Sequence, residues 1–213
     1  MLFDLDGVLV DSAECIEATW RKWATRHQLD PERVIASAHG RRAVETVRLI
    51  APELSVEDEL AELAKSEATT SEGVHEVAGA RELLEMLPHG AWGVVTSGIR
   101  AVAEFRIRHT RLPSPGVMVC ADEILRGKPD PEGYIVAAAL LRRAAADCIV
   151  VEDTPAGIES AQAAGMRVVA IAFTYPPERL TGADAIVAQL ADLIVVNDGD
   201  EVRIDIQAAP TDG

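Results

Sequence analysis

Two aspartates, Asp4 and Asp6, stand one leucine apart in the opening stretch MLFDLDGVLVDS, directly behind a short apolar run. Carboxylates held that close repel each other unless a cation, a proton or a reaction engages them. Similar polar groups follow other apolar runs: Thr96-Ser97-Gly98 after WGVV and Glu152-Asp153-Thr154 after CIVV, while Lys128 sits in RGKPDP ahead of a helical stretch. Each has a plain alternative. Thr-Ser-Gly serves as a helix cap, an acid pair suits a helix start, and one lysine is an ordinary solvated cation. Taken together they supply one chemistry. A hard divalent cation such as Mg²⁺, which prefers oxygen ligands, would relieve repulsion between Asp4 and Asp153. Hydroxyls and backbone N–H groups at Thr96, Ser97 and Gly98 suit phosphate oxygens, and Lys128 supplies positive charge. A carboxylate such as Asp4 is able to attack phosphorus, and Asp6 is placed to give a proton to the leaving oxygen and later to activate water.

For these groups to meet, the elements must bring them to one edge. Apolar runs (WGVV, VMVC, CIVVE and RVVAIA) alternate from about residue 77 onward with helical stretches such as ARELLEML and AGIESAQAAG, and MLF, ahead of the helical block, fits the same sheet. That alternation predicts an α/β fold, a doubly wound parallel sheet whose ligands bind beyond the carboxyl ends of the strands. Between residues 13 and 75 the pattern is helical throughout, broken once at Gly40, with Ile16, Trp20, Trp23, Ala24 and His27 at helical spacing and Asp11 or Ser12 as N-cap. The expected organisation is therefore an α/β core from residues 1–12 and 76–213 with a small all-helical segment, 13–75, inserted after the first strand.

Bulk composition narrows the classes of partner. The 213 residues carry a net charge of −15, which disfavours nucleic acid and anionic membranes. No apolar run reaches membrane-spanning length, and no leader precedes Asp4. Cys15, Cys120 and Cys148 are odd in number and lack CxxC spacing, the usage expected in a reducing cytoplasm. Arginine is the habitual cation, 17 of the 20 Lys and Arg residues, so Lys128 marks a place that needs a compact ammonium. A monomer acting on a small molecule is the expectation.

The segments FDLDGVLVDS, VVTSG, GKPDP and VVEDTPAGI, in that order and with a helical insertion after the first, resemble the haloacid dehalogenase superfamily of phosphohydrolases. The likeness spans essentially residues 1–207. It implies a Rossmann-like core with a helical cap, Asp4 as nucleophile and Asp6 as general acid/base. It also implies that Thr96 and Ser97 hold the transferred phosphoryl group while Lys128 steadies nucleophile and phosphate. Mg²⁺ would be held by Asp4, the Asp6 backbone carbonyl and Asp153, with Glu152 nearby or acting through water. ATWRKWATRHQLDPERVIASAHGRR and LPHGAWGVVTSGIR are similar to the branch of sugar-phosphate, glycerol-3-phosphate and 2-deoxyglucose-6-phosphate phosphatases. In that branch His39, Gly40 and Arg41 face the substrate, a phosphorylated sugar or polyol. Only three residues precede Asp4, fewer than is usual in the family, so the expectation is that the central strand is short at its outer end or that the chain has been trimmed.

Rival activities use the same scaffold. Mutases of the β-phosphoglucomutase type carry a histidine four residues after the serine of the first motif; here that residue is Ile16, which transfers no proton. A phosphonate hydrolase needs a cap lysine, for which Lys22 and Lys65 are the candidates. A dehalogenase would leave Asp6 idle. A phosphate-sensing module without turnover is the alternative from a different class, and the second acid and the helical insertion speak against it.

Overall fold

The computed structural model describes residues 1–38, 41–198 and 201–207, so the expectation placed on His39 and Gly40 lies outside the described residues. In chain order the elements begin with β1 (Leu2–Phe3), β2 (Val10–Asp11) and four helices, α1 (Ala13–Arg26), α2 (Pro31–Ala38), α3 (Ala43–Ile50) and α4 (Val56–Glu67). There follow β3 (His75–Glu76), α5 (Ala80–Met86), β4 (Gly93–Val95), α6 (Arg100–Thr110), β5 (Val117–Val119) and α7 (Glu132–Leu140). The chain then forms β6 (Ile149–Glu152), α8 (Pro155–Ala163), β7 (Arg167–Ile171), β8 (Ala185–Val187), β9 (Leu193–Asp198) and β10 (Glu201–Ile206).

Six of these strands form one sheet in the order β5-β4-β1-β6-β7-β8. Every pairing within it is parallel, and β1 lies at the centre with Leu2 opposite both Gly93 and Val150. Strands covered on both faces read as unbroken apolar runs, which is why GVV, IVVE and RVVAI form them. Successive residues serve opposite faces. Phe3, Val94, Val151 and Val169 join one core cluster, whereas Leu2, Val95, Val150 and Val168 join the other. At about 1.5–3 kcal/mol for each fully buried Val or Leu, these pairs hold the strand ends, and the polar residues after them, in fixed positions.

Helices α1–α4 pack around a third cluster of their own, built on Trp20, Trp23, Val34, Val47 and Leu63. Glu59 of α4 ties this bundle to α1 by accepting from Trp23 Nε1 at 2.8 Å and from Arg26 at 2.6 Å. The helical expectation for residues 13–75 meets one difference at its edge. Val10 and Asp11 pair antiparallel with Glu76 and His75, forming a two-stranded ribbon at the root of the insertion. Two residues per strand are too few to display a period of two. The short β8 and the β9–β10 hairpin likewise go beyond the sequence-based expectation.

Ser12 occupies the N-cap position of α1, as expected, yet its side chain caps nothing. Asp11 Oδ1 accepts from Ala13 N at 3.3 Å instead, and the Ser12 hydroxyl donates elsewhere.

Candidate active site

Strand β1 continues its ladder through Asp4, whose N–H donates to Val151 O at 3.0 Å; Thr96 does the same toward Val119 O after β4. Asp4, Thr96 and Glu152 thus leave neighbouring strands at the same sheet edge. Asp4, Thr96, Lys128, Glu152 and Asp153 are all buried. An ammonium has three protons to give. Lys128 Nζ spends them on Asp4 Oδ1 at 2.8 Å, Glu152 Oε1 at 2.6 Å and the Val95 carbonyl at 3.2 Å. Burial opposes the lysine charge, but the carboxylates of Asp4 and Glu152 outweigh it and hold the ammonium well above its ordinary range.

Glu152 is the most heavily bonded acid of the site. Oε1 accepts from Lys128 and from the Tyr134 hydroxyl at 2.9 Å; Oε2 accepts from the Asp153 and Thr154 N–H groups and the Thr154 hydroxyl at 2.9, 3.1 and 3.1 Å. Burial would raise its carboxyl, and Lys128 with these donors pulls it below the usual value. Asp153 is different. Burial, followed by the charges of Glu152 and Asp4, pushes it well above the ordinary carboxylate range, and its Oδ1 is a buried oxygen without a hydrogen-bond partner. Asp4 is pushed up to about 7 by burial, against the pull of Lys128.

Carboxylate oxygens of Asp4, Glu152 and Asp153 lie within 4.8 Å of one another, close enough to hold a metal ion between them. Such an arrangement asks for a cation, and the partnerless oxygen of Asp153 has a free lone pair to offer it. The residues present therefore fit a hard divalent ion. Glu152 shares the cluster, but its oxygens already serve five donors. Gly7 lets the first loop approach. Its φ is +83°, and a Cβ there would stand 2.0 Å from Asp153 Oδ2.

Asp6 also lines the cavity that Asp4 and Asp153 line. Its Oδ1 accepts from the Ser12 hydroxyl at 2.6 Å and pairs with Arg106 Nη1 at 2.7 Å. The other arm of the guanidinium, Nη2, reaches Glu67 Oε2 at 2.7 Å. Thr96, Ser97 and Gly98 form the turn between β4 and α6, and the Gly98 N–H donates to Thr96 Oγ1 at 3.0 Å. The helix-cap alternative does not hold for them, because the N-cap of α6 is Ile99.

Between the sheet edge and helices α1 and α4 is a cavity of about 430 Å³. Asp4, Asp6, Thr96, Lys128 and Asp153 line its floor, while Ile16, Trp20, Leu60 and Ala64 of the insertion wall it. Arg41 lines it too, from an exposed position. Arg42 links the insertion to the core by donating to Leu125 O at 3.3 Å, and Glu45 Oε1 of the same insertion accepts from its Nε at 2.8 Å. Residue types and spacing thus lead to a set of side chains that the fold gathers in one place. Four partners escaped that reading: Ser12, Glu67, Arg106 and Tyr134. Arg106 carried a readable signal, since it shares one face of α6 with the buried Val102, Ala103, Ile107 and Thr110. An arginine on an apolar face has a partner to find.

Residues 1–171 match the model of the haloacid dehalogenase-like hydrolase family. The chain is 41% identical over 199 residues to hexitol phosphatase A of Escherichia coli (strain K12), covering 91% of this chain and 92% of that protein. It is 31% identical to 2-deoxyglucose-6-phosphate phosphatase 2 of Saccharomyces cerevisiae, covering 93% of this chain and 91% of that one. Among solved structures, CbbY from Rhodobacter sphaeroides in complex with phosphate superposes with a TM-score of 0.78 at 20% identity, over 90% of this chain and 94% of the other, a likeness of fold.

Proposed function

The chain belongs to the haloacid dehalogenase-like hydrolases, and from that premise we propose that it is a Mg²⁺-dependent phosphatase of small phosphorylated sugars and polyols. The observation that carries the reading is the meeting of Lys128, Asp4 and the partnerless Asp153 oxygen on the floor of one cavity, with Asp6 beside them.

In this reading an oxygen of Asp4 attacks phosphorus, the ester P–O bond breaks, and an aspartyl-phosphate forms. The departing alcohol takes its proton from Asp6. Water then attacks the same phosphorus while Asp6 removes its proton, the Asp4–phosphorus bond breaks, and inorganic phosphate is released. Lys128 orients Asp4 throughout, and the Thr96 and Ser97 hydroxyls with the Ser97 N–H are donors to the phosphoryl oxygens. Bound Mg²⁺, held by Asp4, the Asp6 backbone carbonyl and Asp153, supplies positive charge that screens nucleophile from phosphate.

Helices α1–α4 serve as a cap over a core made of residues 1–12 and 76–213, and their apolar wall keeps bulk water from the phosphoenzyme. Arg41 faces the substrate from the cap. Ile16 stands where a mutase needs a proton-transferring histidine, and it lines the cavity, which favours water as the final acceptor. Free, buried Cys15, Cys120 and Cys148 support a reducing cytoplasm, and among the described residues no helix is long and apolar enough to cross a membrane. We take the working unit to be a monomer.

The test is phosphate release from a panel of phosphorylated hexitols, aldoses, glycerol and nucleotides with Mg²⁺. Multiple turnover on the polyol and sugar esters is the expected outcome. Tight binding of a phosphate analogue with no turnover on any ester would make the protein a phosphate sensor and overturn the reading.

A further inference from the structure

The partners of Asp6 are unequal in what they leave free. Ser12 Oγ and Arg106 Nη1 both engage Oδ1, at 2.6 and 2.7 Å, so neither contact uses Oδ2. Arg106 is 2% exposed, and its Nε is a buried nitrogen without a hydrogen-bond partner. A buried guanidinium with an unsatisfied donor is a poor way to stabilise a fold, since an apolar side chain of that volume would pack at lower cost. What it does accomplish is geometric. A planar fork fixes the direction of each N–H, and here one arm is fixed on Asp6 while the other is fixed on Glu67 at 2.7 Å. Asp6 belongs to the loop after β1, Arg106 to α6 of the core, and Glu67 is the last residue of α4 in the insertion. The three charges therefore join core and insertion through the acid/base.

We propose that Arg106 is the positioning residue for Asp6: its fork, steadied by Glu67 of the insertion, holds Oδ1 so that Oδ2 is presented to the leaving oxygen. This rests on the phosphatase reading above. Glu67 sets the fork; Arg106 sets the carboxylate; Asp6 alone handles the proton.

General acid help matters for an alcohol leaving group and little for a nitrophenolate, which separates this role from simple structural support. Wild type, Arg106→Met, Arg106→Lys and Glu67→Gln are compared on glycerol phosphate and on 2,4-dinitrophenyl phosphate with Mg²⁺. Arg106→Met should lose about 10²- to 10³-fold in kcat on glycerol phosphate, a typical share for acid–base help. It should keep a stoichiometric burst of dinitrophenolate, with phosphoenzyme then accumulating because water is poorly activated. Arg106→Lys should recover part of the loss, and Glu67→Gln should show the same split at about tenfold, with KM changing little in either. If Arg106→Met does not fold, the two milder variants decide. Loss of the dinitrophenolate burst to the same degree as glycerol phosphate turnover, or a raised KM with kcat unchanged, would overturn the proposal in favour of a structural or substrate-binding role. A wild-type protein that turns over neither ester removes the phosphatase reading and this inference together; an active wild type with no split removes the inference alone.

Discussion

Asp4 and Lys128 illustrate how two neighbouring residues fail differently. Asp4 is pushed up to about 7 by its burial and by the charges of Glu152 and Asp6, against the pull of Lys128. Asp4→Asn keeps shape and a hydrogen-bond acceptor while removing the attacking charge. We expect turnover to fall below detection with a melting temperature unchanged or higher, read by phosphate release and thermal unfolding; retained turnover would exclude Asp4 as nucleophile. Lys128→Met should behave in the opposite way. It leaves Glu152, which is fully buried, without its main counter-charge, and breaking one partner out of a buried ion pair costs about 3–5 kcal/mol. Denaturant unfolding should therefore show a large loss of stability together with loss of activity. At this scale the sequence was legible where residue type announces chemistry: the acids, the hydroxyls and the rare lysine. It was silent where a common type acts as partner. Nothing in the sequence around Tyr134 or Ser12 distinguishes a hydroxyl aimed at Glu152 or Asp6 from one aimed at water.

The elements explain why those side chains stay in place, and two glycines test this. Helix α8 packs so closely beneath Glu152 that a Cβ on Gly157 would stand 1.7 Å from Oε1. Gly157→Ala must displace Glu152 and with it the Lys128 contact, so activity should fall by more than tenfold and the protein should lose stability. Gly116 is exposed, and a Cβ there would make only an ordinary contact, 3.6 Å from Gly90 Cα. Gly116→Ala is expected to stay within about 0.5 kcal/mol of wild type, the range of an ordinary surface change. Equal damage from both, measured by unfolding and phosphate release, would mean that the α8–Glu152 approach is not special. Elements whose apolar runs are continuous, such as β6 and β7, were legible because double-sided burial writes itself into the sequence. The ribbon of β2 and β3 was not, for its two residue pairs are held by long-range pairing and leave no pattern of their own.

At the scale of the whole molecule, the insertion and the core have separate apolar clusters and meet across the cavity through few polar links, Arg42 to Leu125 O and Glu67 to Arg106 among them. Few such links among the described residues, over an acidic floor, leave the joint stability open to whatever binds there. The carboxylates of Asp4, Glu152 and Asp153 sit within 4.8 Å of each other with Lys128 as their shared counter-charge. A divalent cation that binds the folded chain and not the unfolded one stabilises it by mass action, about 2.7 kcal/mol at a hundred times its dissociation constant. For a chain of this size that is a rise of about 5–10 °C in melting temperature. Mg²⁺ should produce this rise, EDTA should reverse it and stop turnover, and added Mg²⁺ should restore both. Asp153→Asn should abolish the thermal shift, because its Oδ1 is the oxygen without another partner. A protein that keeps full activity in EDTA, or melts at the same temperature with and without Mg²⁺, would leave the acidic cluster without the cation its repulsion demands.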